Sequence, residues 1–277
     1  MAITIKTNIP SLQAQKNLNY STNALNSSFD RLSSGLRIVT AADDAAGLAI
    51  SESMSAQIRS FTIADRNAQD AVSMLQTAEG ALSEVSSIMG RLRELAMQGA
   101  NGSLTSADRG FLDTEYQAMK AEISRIQKSA KFNGKDLLSV NVSAIQFQIG
   151  LNNTASDQLT LTFGGFGLTA ITSSTNAIAG SSITSALAAL STIDTALEIV
   201  STERAKYGAS MNRLNTTISS IDTMRLNLSA ANSRIRDVDV ASETATLARN
   251  QVLSQAGVSV LAQANQLPQL ALRLLQQ

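Results

Sequence analysis

Hydrophobic positions along this chain recur in steps of three and four over four long stretches. Leu75, Ala78, Leu82, Val85, Met89, Leu92 and Ala96 form one stripe, and Leu112, Tyr116, Met119, Ile123 and Ile126 a second. The third runs through Leu190, Ile193, Leu197, Val200, Tyr207, Met211, Leu214, Ile218, Ile221 and Leu228, with Arg204 and Arg225 in two of its slots. Val260, Ala264, Leu267, Ala271 and Leu274 close the chain. Such spacing keeps one side of a helix apolar, and over these lengths it predicts a helical bundle or coiled coil. Second rows (Ala81, Val85, Ile88, Leu92 and Leu95; Val258, Leu261, Leu272 and Leu275) widen two stripes and predict packing against more than one partner. The only prolines are Pro10 and Pro268, so nothing between them interrupts a long helix. A helix over 182–236 would measure about 80 Å.

The period changes to two in one place. Ile145, Phe147 and Ile149, then Leu159, Leu161 and Phe163, alternate with polar residues and predict a hairpin around the loop 150–157. Phe132-Asn133-Gly134-Lys135 reads as a tight turn. Thr105-Ser106-Ala107-Asp108 has the form of a capping box opening a helix over 106–129, and Asn101-Gly102 closes the helix before it. Asp43-Asp44 opens the helix through Leu48 and Met54, where negative charge suits the helix dipole. Between Gly164 and Ser182 the chain is rich in Gly, Ser and Thr, as an exposed connection would be. Helices therefore climb from the N-terminus to the hairpin and one long helix returns. The fold class expected is mainly α: a long antiparallel helical bundle with a β-hairpin, its terminal helices side by side. Those ends are unusual. Leu18, Leu25, Phe29, Leu32 and Leu36 punctuate the first, and Leu261, Leu267, Leu270, Leu272, Leu274 and Leu275 the last. Termini are normally polar and frayed, so apolar ends call for burial in this chain or in a neighbour.

Composition narrows the function. Aromatic residues are 4% and charged residues 16%, the latter below the roughly 25% of an average domain. Net charge is zero, which argues against nucleic acid and against a polybasic membrane contact and leaves copies of the chain without long-range repulsion. Cys and His are both absent, which removes disulfides, His-based metal sites and most acid–base catalysis. Asp43 and Asp44 diverge by about 100° on a helix and do not form a catalytic pair. No catalytic, cofactor or metal residues are therefore assigned. Neither a signal-peptide pattern nor an apolar run long enough to span a bilayer is visible, so export would need another route.

Several strings resemble one family. Leu32-Ser-Ser-Gly-Leu-Arg-Ile38, Asp43-Asp-Ala-Ala-Gly-Leu-Ala-Ile-Ser51, Gln76-Thr-Ala-Glu-Gly-Ala-Leu82, Arg91-Leu-Arg-Glu-Leu-Ala-Met-Gln98 and Phe132-Asn-Gly-Lys-Asp-Leu-Leu138 resemble the N-terminal signature of bacterial flagellin. Gln255-Ala-Gly-Val-Ser-Val-Leu-Ala-Gln-Ala-Asn-Gln-Leu-Pro268 resembles its C-terminal one. The match covers roughly 1–150 and 183–277 and implies an extracellular filament subunit for swimming motility, in a minimal form without large outer domains. It implies an inner coiled-coil domain from 1–42 and 236–277, a rod domain from 43–163 with a return helix at 183–235, and a short exposed loop at 164–182. Implied partners are further copies of the chain, an export chaperone on the C-terminal segment, and the filament cap and hook-associated proteins. The resemblance also implies recognition by the vertebrate innate receptor TLR5 through Arg91, Leu95 and Glu115, and by cytosolic inflammasome receptors through Leu272, Leu274 and Leu275. Read from the residues alone, this is a solvated helix face on which Arg91 and Glu94, or Arg93 and nearby Asp residues, pair across the bundle. A hook–filament junction protein is the alternative function, and a soluble coiled-coil adaptor explains the heptads but not the ends.

Overall fold

The computed structural model describes residues 7–138, 143–164, 168–173, 177–179 and 183–275, by backbone alone at 169–170 and 267–275. Its helices are α1 (Ile9–Ser34), α2 (Ala45–Gly99), α3 (Ser106–Ser129), α4 (Thr169–Thr172), α5 (Thr184–Arg236) and α6 (Val240–Leu275). Its strands are β1 (Lys131–Phe132), β2 (Lys135–Asp136), β3 (Ser143–Gln148) and β4 (Gln158–Phe163). The expected mainly α fold is what the chain adopts. Two compact units are formed, Met1–Ile58 with Leu226–Gln277, and Arg59–Arg225.

The predicted stripes build the core of the unit Arg59–Arg225. Leu75, Ala78, Leu82, Val85, Met89, Leu92 and Ala96 of α2 are all fully buried. On α5, Ile193, Val200, Tyr207, Leu214 and Ile221, each seven residues after the last, are buried, and Leu190, Leu197, Met211 and Ile218 pack beside them. Tyr116 and Ile123 do the same for α3. Burying each large side chain contributes about 1.5–3 kcal/mol, which outweighs weak local preferences such as that against Gly80 and Gly90 within α2.

The helix starts follow local chemistry. At α3 the Thr105 hydroxyl accepts from the Asp108 N–H at 3.3 Å, and the Asp108 carboxylate accepts from the Thr105 N–H at 2.9 Å: the capping box is complete. Asp44 caps α2, its carboxylate accepting from the Gly47 N–H at 2.9 Å. Asp43 instead ties the preceding turn, accepting from the Thr40 N–H at 2.9 Å. The helix expected to begin there runs unbroken through the 75–96 stripe to Gly99, two residues short of the stop expected at Asn101-Gly102.

Both predicted turns form. β1 and β2 pair through Asn133 and Gly134, whose positive φ values of 46° and 78° suit the turn that joins twisted antiparallel strands. β3 pairs antiparallel with β4, Ile145 opposite Leu161 and Phe147 opposite Leu159. Leu159, Leu161 and Phe163 face the core, and the Phe163 ring lies 5.6 Å from that of Tyr207 on α5.

The connection 164–182 departs from the exposed loop expected of its composition. Among its described residues Leu168, Ile171 and Ile178 are fully buried. Two buried or half-buried groups on one face of α3 hold its backbone. The Lys120 ammonium donates to the Ser173 carbonyl at 2.7 Å, and the Asp113 carboxylate accepts from the Ile178 N–H at 2.8 Å. Three isolated apolar residues among serines and threonines give no periodicity to read.

In the unit Met1–Ile58 with Leu226–Gln277, α1 and α6 pack antiparallel. The links leading out of α1 and out of α5 are tied to each other. Leu36 bridges Asp237, the Arg37 N–H donates to the Arg236 carbonyl at 2.6 Å, and the Val238 N–H to the Gly35 carbonyl at 3.1 Å. The Arg37 guanidinium also donates to the Ile235 carbonyl, supplying a cation and a donor where α5 ends.

Candidate functional site

Two surfaces carry the expected site residues: the paired terminal helices and the Arg91 face of α2. The terminal pair starts from a cap. Asn8 accepts from the Ser11 N–H at 3.2 Å to open α1, and its side-chain amide donates to the Ala264 carbonyl at 2.9 Å. The Ser11 hydroxyl meets Asn265 at 2.8 Å. The seam continues along α1 through Ala14, Leu18, Ser21, Leu25, Ser28 and Leu32, and along α6 through Ala264, Leu261, Gly257, Ser254, Asn250 and Leu247. Gly257 faces Leu18 across the seam, where an added Cβ would stand 3.4 Å away, an ordinary packing distance. At the far end Arg31 lies 3.2 Å from Asp43 and 3.9 Å from Glu243 of α6. The Thr40 backbone N–H foremost, and Arg31 next, hold the Asp43 carboxyl down at about 2.

This seam is narrow and mostly small or polar. Of the expected N-terminal residues, Leu18, Leu25, Leu32 and Leu36 are half-buried, but Phe29 is 50% exposed. Leu12 and Tyr20 of α1 also face solvent, as do Val252, Leu253, Val258 and Val260 of α6. Leu261 is half-buried in the seam, whereas the side chains of Leu267, Leu270, Leu272, Leu274 and Leu275 lie outside the described residues. The apolar bands are thus wider than one partner covers, in keeping with the doubled stripes.

On the second surface, Arg91 Nε and Nη2 both donate to Glu115 Oε1, at 2.9 and 2.8 Å, and Nη1 donates to Glu94 at 2.8 Å. Glu94 first, and Glu115 after it, stabilise the charged guanidinium and raise its pKa. Leu95 is 1% exposed, so the structure brings Arg91 and Glu115 together at the surface and places Leu95 in the core beneath them. It belongs to the second apolar row, which faces inward here. Arg93 pairs with Asp194 of α5 at 2.7 Å. The two arginines in heptad slots also pair with acids, Arg204 with Glu79 at 2.8 Å and Arg225 with Asp222 at 2.9 Å. Sequence reading missed the buried Lys120 and Arg109. Lys120 follows Tyr116 by one helical turn and so shares its face, the one signal that pointed inward.

Comparison with known proteins draws these features together. The description "Bacterial flagellin N-terminal helical region" matches residues 5–143, and "Bacterial flagellin C-terminal helical region" matches 190–275. A flagellin of Halalkalibacterium halodurans is 45% identical over 271 residues, covering 98% of this chain and 99% of that one. The crystal structure of Bacillus cereus flagellin is similar over 60% of this chain and 94% of that chain, with a TM-score of 0.51 and 32% identity. A putative flagellar hook-associated protein from Vibrio parahaemolyticus shares the fold, with a TM-score of 0.63 at 16% identity over 70% of this chain and 100% of that one.

Proposed function

Because this chain belongs to the bacterial flagellin family and is a structural subunit of the flagellar filament, not an enzyme, we propose that α1 and α6 form the filament's inner layer. One observation carries this reading. Each helix buries small and polar residues against the other and leaves large apolar ones (Leu12, Tyr20 and Phe29; Val252, Leu253 and Val260) facing solvent. Large apolar side chains left in solvent around a helix pair call for neighbours on more than one side, and in a homopolymer those neighbours are other copies. The remaining parts take their layers accordingly: 43–163 and 183–235 build the surrounding tube, and 164–182 its short outer edge.

The other partners follow from the same surfaces. An export chaperone takes the segment containing Leu261, Leu267, Leu270, Leu272, Leu274 and Leu275 before assembly. The cap and hook-associated proteins contact the filament's ends. TLR5 reads the Arg91–Glu115 pair, with Leu95 acting from below as a support, and inflammasome receptors take the C-terminal leucines. Val252→Asp and Val260→Asp test the inner-layer assignment. Both positions are exposed in the single chain, so the monomer's circular dichroism should be unchanged while filament formation is lost. Normal filaments from both variants would refute the assignment.

A further inference from the structure

Two peptide bonds of this chain join asparagine to glycine: Asn101-Gly102 between α2 and α3, and Asn133-Gly134 between β1 and β2. Asparagine before glycine is the pair most open to a rearrangement that needs no enzyme. Glycine has no side chain to keep its nitrogen away from the neighbouring side-chain carbonyl. Both pairs are exposed to water. Residue type and solvent access are therefore the same at the two places, and only the surroundings differ.

At Asn101 each reacting group meets a donor. The buried Arg109 guanidinium of α3 donates through Nε to the Gly99 carbonyl at 3.0 Å and through Nη2 to the Asn101 main-chain carbonyl at 3.2 Å. The Leu104 N–H adds a second donor to that carbonyl at 3.3 Å. This oxygen and the Gly102 nitrogen belong to one amide. A cation on the oxygen therefore stabilises the negative charge that the amide acquires when its nitrogen loses a proton. The Ser103 N–H donates to the Asn101 side-chain carbonyl at 3.1 Å. That bond draws electrons from Cγ and stabilises the charge that develops on Oδ1 when Cγ is attacked. The ring it closes contains both Cγ and the Gly102 nitrogen, so it also folds the two toward each other. Asn133 is placed differently. It sits at φ 46° in a tight turn whose flanking residues Phe132 and Lys135 are paired, which holds the peptide that would have to rotate. Among the described residues no donor meets either of its carbonyls.

We propose that Asn101 is a site of self-modification, converted to aspartate and isoaspartate in the folded chain with Arg109 and the Ser103 N–H activating the two reacting groups. Hydroxide takes the Gly102 amide proton and the nitrogen attacks Cγ. The bond from Cγ to the side-chain nitrogen breaks, and that nitrogen leaves as ammonia with a proton from water. Water then opens the cyclic imide, at Cγ to give aspartate or at the main-chain carbonyl to give isoaspartate. Either product puts a new negative charge just beyond the end of α2, on a chain whose net charge is zero. The reaction does not depend on the filament assignment. To test it, the full chain is kept unpolymerised at mildly alkaline pH, digested at intervals and read by mass spectrometry, with isoaspartate counted by an isoaspartyl methyltransferase. The folded chain should convert Asn101 at least about tenfold faster than Asn133. In guanidinium the donors are lost, and the two rates should come together. Arg109→Gln, with its native circular dichroism verified, should slow Asn101 toward the Asn133 rate and leave Asn133 unchanged. An unchanged Asn101 rate in that folded variant overturns the proposal. So do equal rates at the two sites of the folded wild-type chain, or a preference for Asn101 that persists in guanidinium. If Arg109→Gln does not fold, the wild-type comparison decides alone.

Discussion

Arg91 meets two carboxylates at once, Glu115 of α3 through Nε and Nη2 and Glu94 of its own helix through Nη1. An exposed cluster of this kind adds little stability, which frees it for recognition. Arg91→Ala should therefore leave the monomer's melting temperature nearly unchanged while abolishing TLR5-dependent signalling in reporter cells; equal signalling would remove TLR5 from the partners. Asp43 behaves differently. Its carboxyl is lowered from 3.8 to about 2, so the ionised form is the one the fold favours. A depressed pKa contributes stability that is complete above the unfolded value and fades as pH falls through the folded one. Asp43→Asn should thus be less stable than wild type at about pH 6, and the gap should close toward about pH 2. Paired denaturant titrations across that range measure it. Both residues were legible in the sequence, Arg91 through its string and Asp43 through its place before a helix. The division between Asp44 as cap and Asp43 as tie was not, because adjacent carboxylates look alike until the turn at Thr40 is seen.

At the scale of elements, each long helix rests on two kinds of information. Its length comes from sustained heptads without proline, and its ends come from single residues. Thr105 is the clearest case, since its hydroxyl and the Asp108 carboxylate satisfy donors that the first turn of α3 cannot satisfy itself. Thr105→Ala should cost about 1 kcal/mol in a denaturant titration. An unchanged midpoint would mean that packing of Tyr116 and Ile123 fixes α3 without its cap. The strands were equally readable, since alternation of Ile145, Phe147, Leu159 and Leu161 has a period that a helix cannot use. What escaped was aperiodic. The anchoring of 168–179 by Leu168, Ile171, Ile178, Asp113 and Lys120 depends on contacts distant in sequence, and no local spacing announces them. Leu95 was legible as a member of the second apolar row, and its burial follows from that row facing inward. A motif gives the order of residues, but the helix turn decides which of them faces out.

Across the whole chain, the ends belong to one unit and the heptad core to the other, so damage to the first should spare the second. Removing 259–277 takes Ala264 and Asn265 away from Asn8 and Ser11. The shortened chain should form no filaments, while the near-ultraviolet signal of the buried Tyr116 and Tyr207 should melt as in the intact chain. Filaments from it would show that the inner layer does not need the end of α6. The α1–α6 seam has one more consequence. A joint whose leucines are only half-buried and whose other places are mostly small or polar gains little from closing, so it should open and close reversibly in a lone subunit. Only enclosure among neighbours supplies the missing apolar burial. The pair would then act as a check on completeness: a subunit's ends lock only when every adjacent place is filled, and a vacancy anywhere in the wall is felt as loosened helices around it.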